Sequence, residues 1–435
     1  MRKLLLNQSN IGILILLFIF PTSCLKDRIT HTYSIQVPVY ETLATARANM
    51  KSGPATELKT IGKVYVQGNY IFLNEIDKGI HVIDNSDPSK PVNLSFIKIP
   101  GNEDIAVKGS TMYADAYGDL VAFDISNPLH ITPKKILDTV FTDRFYYYFG
   151  PNISYYDNYT TNSFNPDSMY VIIDWITKDT TVNYNSYPIM YYNSSCPSCA
   201  VVPSATYYAA ANQNTGNGKS GSMARFAVVN DYLYTVSNVS LHTFDVSTSD
   251  NPISASNSNF GWNIETIYPF KNKLFIGSSS GVFIYDIATN PAQPTASGQF
   301  SHARACDPVI ADDKYAYVTL SDGTKCGGYS NELDIVDATN LTNQNSLFKV
   351  YPLTHPEGLA KDGSTLFICD GKDGLKVFDA SDALNLKQIG HIGGPETYDV
   401  IAENGLAIVI AKDGIYEYDY SDVNHIRQLS KLSVN

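Results

Sequence analysis

Basic residues are scarce in this sequence. Lys and Arg number 31 against 43 Asp and Glu, giving a net charge of −12 and a pI near 5.1. That balance disfavours nucleic acid as a partner, because phosphate binding needs a basic face. Catalytic signatures are missing too. There is no H-E-x-x-H and no G-x-S-x-G, which removes the helix-borne zinc protease and the nucleophile-elbow hydrolase. Residues 216–220 (GNGKS) echo a phosphate loop, but Gln213 stands where its first glycine belongs. Cysteines number six, and no H-x₃-H or second C-x-x-C is present to complete a zinc site around Cys196 and Cys199. The apolar run at residues 11–20 is too short for a membrane span. Absent motifs do not exclude catalysis in a chain that assembles its site from distant segments.

What the sequence has in abundance is one repeated unit. Seven copies occur: KGIHVIDNS (residues 78–86), GDLVAFDIS (118–126), VSLHTFDVS (239–247), SGVFIYDIA (280–288), NELDIVDAT (331–339), DGLKVFDAS (373–381) and DGIYEYDYS (413–421). They align on Asp84, Asp124, Asp245, Asp286, Asp337, Asp379 and Asp419. Aliphatic residues precede each Asp by four positions, and Ser, Thr or Ala follows it by two. A short apolar run rich in β-branched and aromatic residues reads as a strand. Apolar residues on both parities predict a strand buried on both faces. Each Asp reads as turn chemistry, its carboxylate accepting backbone N–H groups where the strand ends. Seven equivalent catalytic acids have no mechanistic sense.

The aspartates are spaced by 40, 121, 41, 51, 42 and 40 residues. Repeats of ~40–45 residues with about four strands each predict a β-propeller. The fold class is therefore all-β, a seven-bladed propeller of four-stranded blades. The long second interval predicts an insertion of ~80 residues between blades 2 and 3. The IHVID, LDIVD and LKVFD cores, with S-D-P or S-N-P after them, resemble the LVIVD-repeat family of bacterial surface propellers. The resemblance covers roughly residues 58–435 apart from the insertion. It implies a fold and a surface setting, and it implies no reaction.

Residues 1–24 read as an export signal. Arg2 and Lys3 supply its positive start, residues 11–20 its apolar stretch, and Thr22-Ser23-Cys24 a lipobox-like end in which Pro21 replaces the usual Leu. On that reading Cys24 is lipidated. Leu25-Lys26-Asp27 resembles the Lys-acidic export signal of Bacteroidetes lipoproteins, which implies an outer-membrane lipoprotein facing the cell surface. An ordinary secretory signal is the alternative. Residues 25–57 form a tether and lead-in, with an edge strand around Tyr33, Ile35, Val37 and Val39 and a short helix within residues 41–50. The propeller occupies residues 58–435. Within it, residues 143–221 form the Tyr-, Asn- and Ser-rich insertion, read as a partly ordered cap because disorder is typically poor in aromatics.

Outside the cytoplasm disulfides persist. Cys306 begins one strand and Cys326 follows its antiparallel neighbour, so a Cys306–Cys326 bridge is expected. Cys196 and Cys199 suggest a local structural bridge, and Cys369, in LFICD, a buried free thiol.

One constellation remains. In a propeller the first strand of each blade lines the central channel. Near the starts of these strands stand Glu103, Asp104, Glu265, Asp307, Glu357, Glu396 and Asp399, with His302, Arg304, His355 and Tyr398 close by. This channel mouth reads either as a ligand site or as a solvated rim whose acids bond backbone N–H groups. Like charges around one axis repel, which points to a cation such as calcium, or to paired Arg and His. No cofactor is required by any motif. The expected function is a membrane-anchored binding or scaffold module for a glycan or protein. The alternatives are a glycan-active enzyme using carboxylates at the mouth and a purely structural envelope component.

Overall fold

The computed structural model describes residues 30–142, 165–167, 169–183, 219–260, 263–301, 308–322, 330–339 and 347–434. Cys24, Cys196, Cys199, His302, Arg304, Cys306, Asp307 and Cys326 lie outside the described residues.

Seven antiparallel sheets succeed one another along the chain, over residues 61–98, 105–137, 226–259, 264–301, 309–352, 359–392 and 397–433. Each sheet is a meander of four consecutive strands, a blade of a seven-bladed β-propeller. In blade 6 these are Leu359–Asp362, Thr365–Cys369, Leu375–Asp379 and Lys387–Ile392. The repeated motif is the third strand of every blade. Second and third strands are buried almost throughout, as in Thr111–Ala116, whereas the outermost strand Ile253–Asn259 is mostly exposed. Middle strands have a neighbouring blade on each face, so both parities carry apolar side chains.

The seven aspartates close these third strands. Asp84 Oδ1 accepts from Ser86 N (2.9 Å), Asp124 from Ser126 N (3.0 Å) and Asp245 from Ser247 N (2.8 Å). Asp286 accepts from Ala288 N (3.1 Å), Asp337 from Thr339 N (2.8 Å), and Asp379 and Asp419 from Ser381 and Ser421 N (2.9 Å each). At Asp419 the Ser421 hydroxyl, then the Ser421 N–H and Arg427, hold the carboxyl down at about 2. The turn feeds a fourth strand that carries one extra residue in every blade: Leu94, Lys134, Ala255, Ser297, Phe348, Ile389 and Leu429. Such a bulge increases local twist, which lets the outer edge of a blade splay away from its neighbours.

Apolar clusters bridge successive blades around the ring. Phe141 and Phe226 stack between blades 2 and 3, with centroids 5.7 Å apart. Ile61, Val64 and Ile71 of blade 1 pack with Ile401, Ile408 and Ile410 of blade 7. The ring therefore closes through side chains, since blades 1 and 7 each draw four strands from their own stretch of sequence.

Blade 1 has two further strands. Ser52–Pro54 lies along its outer edge beside Val92–Lys98. Lys219–Ser220 lies along its inner edge, with Lys219 opposite Val66 and Ser220 opposite Tyr65.

The lead-in contains the strand Thr30–Thr42 and the helix Leu43–Ala48, capped by the Thr42 hydroxyl accepting from Thr45 N (3.2 Å). Leu43 and Ala46 pack with Met169, Val171 and Tyr117, and Leu43 N donates to Met169 O (2.8 Å). Arg47 binds Asp119 (2.6 Å) and Asp138 (2.5 Å), which fastens the helix to blade 2.

Residues 30–37 and 175–183 belong to a separate compact unit. It is a two-stranded antiparallel ribbon made from parts of Thr30–Thr42 and Tyr170–Asn183. Thr32 bonds Thr181 (2.9 Å), Ser34 bonds Asp179 (2.5 Å) and Gln36 bonds Thr177 (3.0 Å) across it.

Candidate functional site: the channel mouth and its axis

The register of the first strands sorts the channel residues into layers. One residue before the pairs Val64–Leu73, Ile105–Ala114, Phe226–Thr235, Ile267–Ile276, Val309–Val318, Leu359–Ile368 and Val400–Val409 lie equivalent positions of the seven blades. They hold Lys63, Asp104, Arg225, Thr266, Pro308, Gly358 and Asp399, all buried. Reading round from blade 7 through blades 1, 2 and 3, the order is Asp399, Lys63, Asp104, Arg225. Acidic and basic side chains alternate. One residue nearer the mouth, Glu103, Glu265 and Glu357 are half-buried. The acids expected to form one rim thus fall into two layers.

The inner layer is bonded across blades. Lys63 Nζ donates to Asp104 Oδ2 at 3.0 Å, with both side chains almost fully buried. The same oxygen accepts from the backbone N–H of Arg225. Arg225 sends its guanidinium to Glu103 (3.1 Å) and to Asn238 (2.9 Å). Asp115 Oδ1 accepts from Glu103 N (2.8 Å), Asp104 N (3.0 Å) and Asn102 Nδ2 (2.7 Å), fixing the turn that presents both acids. Burial pushes the Asp104 carboxyl up and the Lys63 ammonium down, against their mutual attraction. Their pairing offsets the like-charge repulsion that suggested a cation. Among the described residues, no three His, Cys, Asp or Glu side chains are grouped so as to hold a metal ion.

The remaining mouth residues have separate roles. Glu357 Oε1 faces His355 Nε2 (3.3 Å), and Asp322 faces the other ring nitrogen (3.4 Å). Glu357, then Asp322, holds the His355 imidazole above its ordinary pKa. Glu396 pairs with Lys412 (2.9 Å), and Tyr398 contributes its carbonyl, which accepts from Gly358 N (2.8 Å). Cys369 is a free thiol, fully buried, and burial pushes its pKa well up.

The axis itself is occupied by the chain. Lys219 and Ser220 pair with the innermost strand of blade 1. Ser222 Oγ accepts from Leu359 N of blade 6 (2.7 Å), and Ala224 O accepts from Ile267 N of blade 4 (2.7 Å). Arg225 N reaches Asp104 of blade 2, and Lys219 Nζ pairs with Glu403 of blade 7. One stretch of seven residues meets five blades of a ring only by running along its axis. Its antiparallel course against Ile61–Gln67 carries it from the far end of the channel, near Val66, up to the mouth.

Asp399 sits against this axial segment. Its Oδ1 accepts from Val400 N (2.8 Å) and stands 2.3 Å from where a Cβ on Gly358 would lie. Burial pushes the carboxyl up to about 8, with Lys63 and Glu357 acting on it in opposite senses. Between about pH 4 and 8 the folded state keeps a proton that the unfolded chain has released, so stability falls as pH rises through that window. Asp399→Asn is expected to remove this loss. Its advantage over wild type in urea unfolding should grow with pH by up to ~1.4 kcal/mol per unit and level off above pH 8. A disadvantage that grows with pH would mean that the ionised form is the stabilised one.

Residues 61–97 and 102–139 each match the LVIVD repeat. The chain carries tandem LVIVD repeats. The two matches cover blades 1 and 2, and so include Lys63, Glu103, Asp104 and the repeat aspartates Asp84 and Asp124. No curated protein matches the sequence. Among solved structures, BamB from Moraxella catarrhalis is 7% identical, with a TM-score of 0.49 over 90% of this chain and 99% of its own. The computationally designed Ika8 protein is 10% identical, with a TM-score of 0.48 over 87% and 91%. PorZ of Porphyromonas gingivalis, a surface component of the type-IX secretion system, is 11% identical, with a TM-score of 0.45 over 86% of this chain and 39% of its own. At these values the likenesses carry nothing about residues or activity of this chain.

Lys63, Asn102, Asp115 and Ser222 are the site residues that sequence reasoning missed. A signal for Lys63 existed: a lysine inside the apolar run IGKVYV, in repeat register with Asp104 and Asp399.

Proposed function

We propose that this protein is a lipid-anchored, extracytoplasmic propeller that works as a binding or scaffold module. The filled axis is the observation that supports this reading. An enzyme using mouth carboxylates needs a concave site with free acids. Here the axis holds residues 219–225, and Asp104, Glu103, Glu357 and Glu396 are each tied to a basic partner. The surface is left to do the work. A glycan or a protein suits a sequence rich in tyrosine. The anchor in this reading is Cys24, on an outer membrane facing the cell surface. Among the described residues no helix is long and apolar enough to cross a membrane.

Mass spectrometry of the purified protein tests the anchor. Acyl chains are expected on Cys24 and absent from Cys24→Ala, and an unmodified wild-type Cys24 would overturn it. The module reading is tested by a glycan-array and envelope-protein screen of the full chain, in calcium and in EDTA. Saturable binding without turnover is expected, and hydrolysis of a bound glycan would replace the module by the enzyme.

A further inference from the structure

The ribbon of residues 30–37 and 175–183 has two unlike faces. Thr32 with Thr181, Ser34 with Asp179 and Gln36 with Thr177 make one face a ladder of paired polar side chains. Side chains alternate along a strand, so the opposite face carries Tyr33, Ile35 and Val37 with Ile176, Lys178 and Thr180. That face is open: Tyr33 is 46%, Ile35 37% and Ile176 51% exposed. By the same alternation Trp175, 50% exposed, falls with Thr177 and Asp179 on the polar face. A two-stranded ribbon is marginal in water without a covered apolar face.

The occupant follows from where the chain leads. Thr30 is six residues from Cys24, so the ribbon starts at most ~20 Å from that sulfur. If Cys24 carries acyl chains, no other part of the described chain is held so near the bilayer by covalent connection. We propose that the Tyr33–Ile35–Ile176 face of the ribbon lies in the membrane interface as a second attachment beside the lipid. This rests on the anchor reading above. Tyr33 suits the headgroup level, and Lys178 can lay its aliphatic stem on the apolar face and raise its ammonium to the phosphates.

The reporter is a tryptophan placed on the apolar face. The sequence's own tryptophans are Trp175 and Trp262, so full-length Tyr33→Trp/Trp175→Phe/Trp262→Phe protein carries a single tryptophan, at position 33. This protein, purified in detergent, is reconstituted into phosphatidylcholine vesicles with or without bromine on the acyl chains. The expected result is loss of tryptophan emission in the brominated vesicles. Ile35→Asp/Ile176→Asp should restore it, and Ile35→Leu/Ile176→Leu should not. A far-ultraviolet melt of each variant checks that the propeller is intact, and all substituted ribbon sites are exposed. Unquenched emission from the single-tryptophan protein overturns the proposal, as does quenching that survives the double Asp substitution. Acylation is read by mass spectrometry on the same sample. Missing acyl chains therefore sink the anchor reading, while the quenching result judges the ribbon separately.

Discussion

Asp104→Ala is expected to destabilise the propeller by roughly 3–5 kcal/mol, the cost of leaving a buried charge without its partner. Asp104 is 1% exposed and Lys63 5%, so neither can turn to water. The carboxylate also accepts from Ile105 N (2.7 Å) and from Arg225 N, and those donors are stranded with it. Chemical unfolding monitored by circular dichroism measures the loss. The companion variant is Lys63→Met/Asp104→Asn, which removes both charges and keeps an oxygen for one of the two N–H groups. It should recover part of the stability, because each ion is costly to bury and their attraction only offsets that cost. Equal losses in the single and double variants would show that the charges are irrelevant to the fold. A cycle completed with Lys63→Met gives the coupling directly.

Joining residue 144 to Met223 by a short Gly/Ser linker should leave seven blades but cost about 3 kcal/mol or more. The linker removes the strand Lys219–Ser220, the Ser222 bond to Leu359 and the Lys219 pair with Glu403. Each lost bond is worth ~1 kcal/mol, and a buried donor left open costs ~1–3 kcal/mol. The deletion also takes Met169 and Val171 from beside the helix. The axis is therefore read separately by Ser222→Val in the full chain, expected to cost ~1–3 kcal/mol through the stranded Leu359 N–H. Unchanged midpoints in both proteins would mean that the axial segment is a passenger. A molten product from the linker protein, with Ser222→Val well folded, would place the insertion's weight on the helix contacts instead.

Both experiments probe features that were hidden at the level of sequence for one reason. Lys63 and Asp104 are 41 residues apart, and Ser222 and Leu359 are 137 apart. Nothing local links either pair. The mouth acids were found because each precedes a recognisable first strand, and their sorting into a half-buried and a buried layer needed the strand register. The repeated bulge of the fourth strand escaped for a related reason. It leaves no fixed residue type, with Leu, Lys, Ala, Ser, Phe and Ile all occupying it.

By itself the sequence determined the number of blades, the four-strand unit and the turn that ends each third strand. These are short-range properties. A strand buried on both faces must be apolar on both parities, and its turn needs an acceptor two residues before the N–H it holds. Seven such constraints in register leave their pattern in the composition of each copy. The tertiary structure alone decided what fills the axis, which charges neutralise one another there, and which strand partners Thr30–Thr42. Those contacts join segments from different blades, brought together by rotation about an axis that no single stretch of sequence contains. A lysine or an acid beside a strand reads the same whether it faces water or a buried partner, and only closure of the ring determines which.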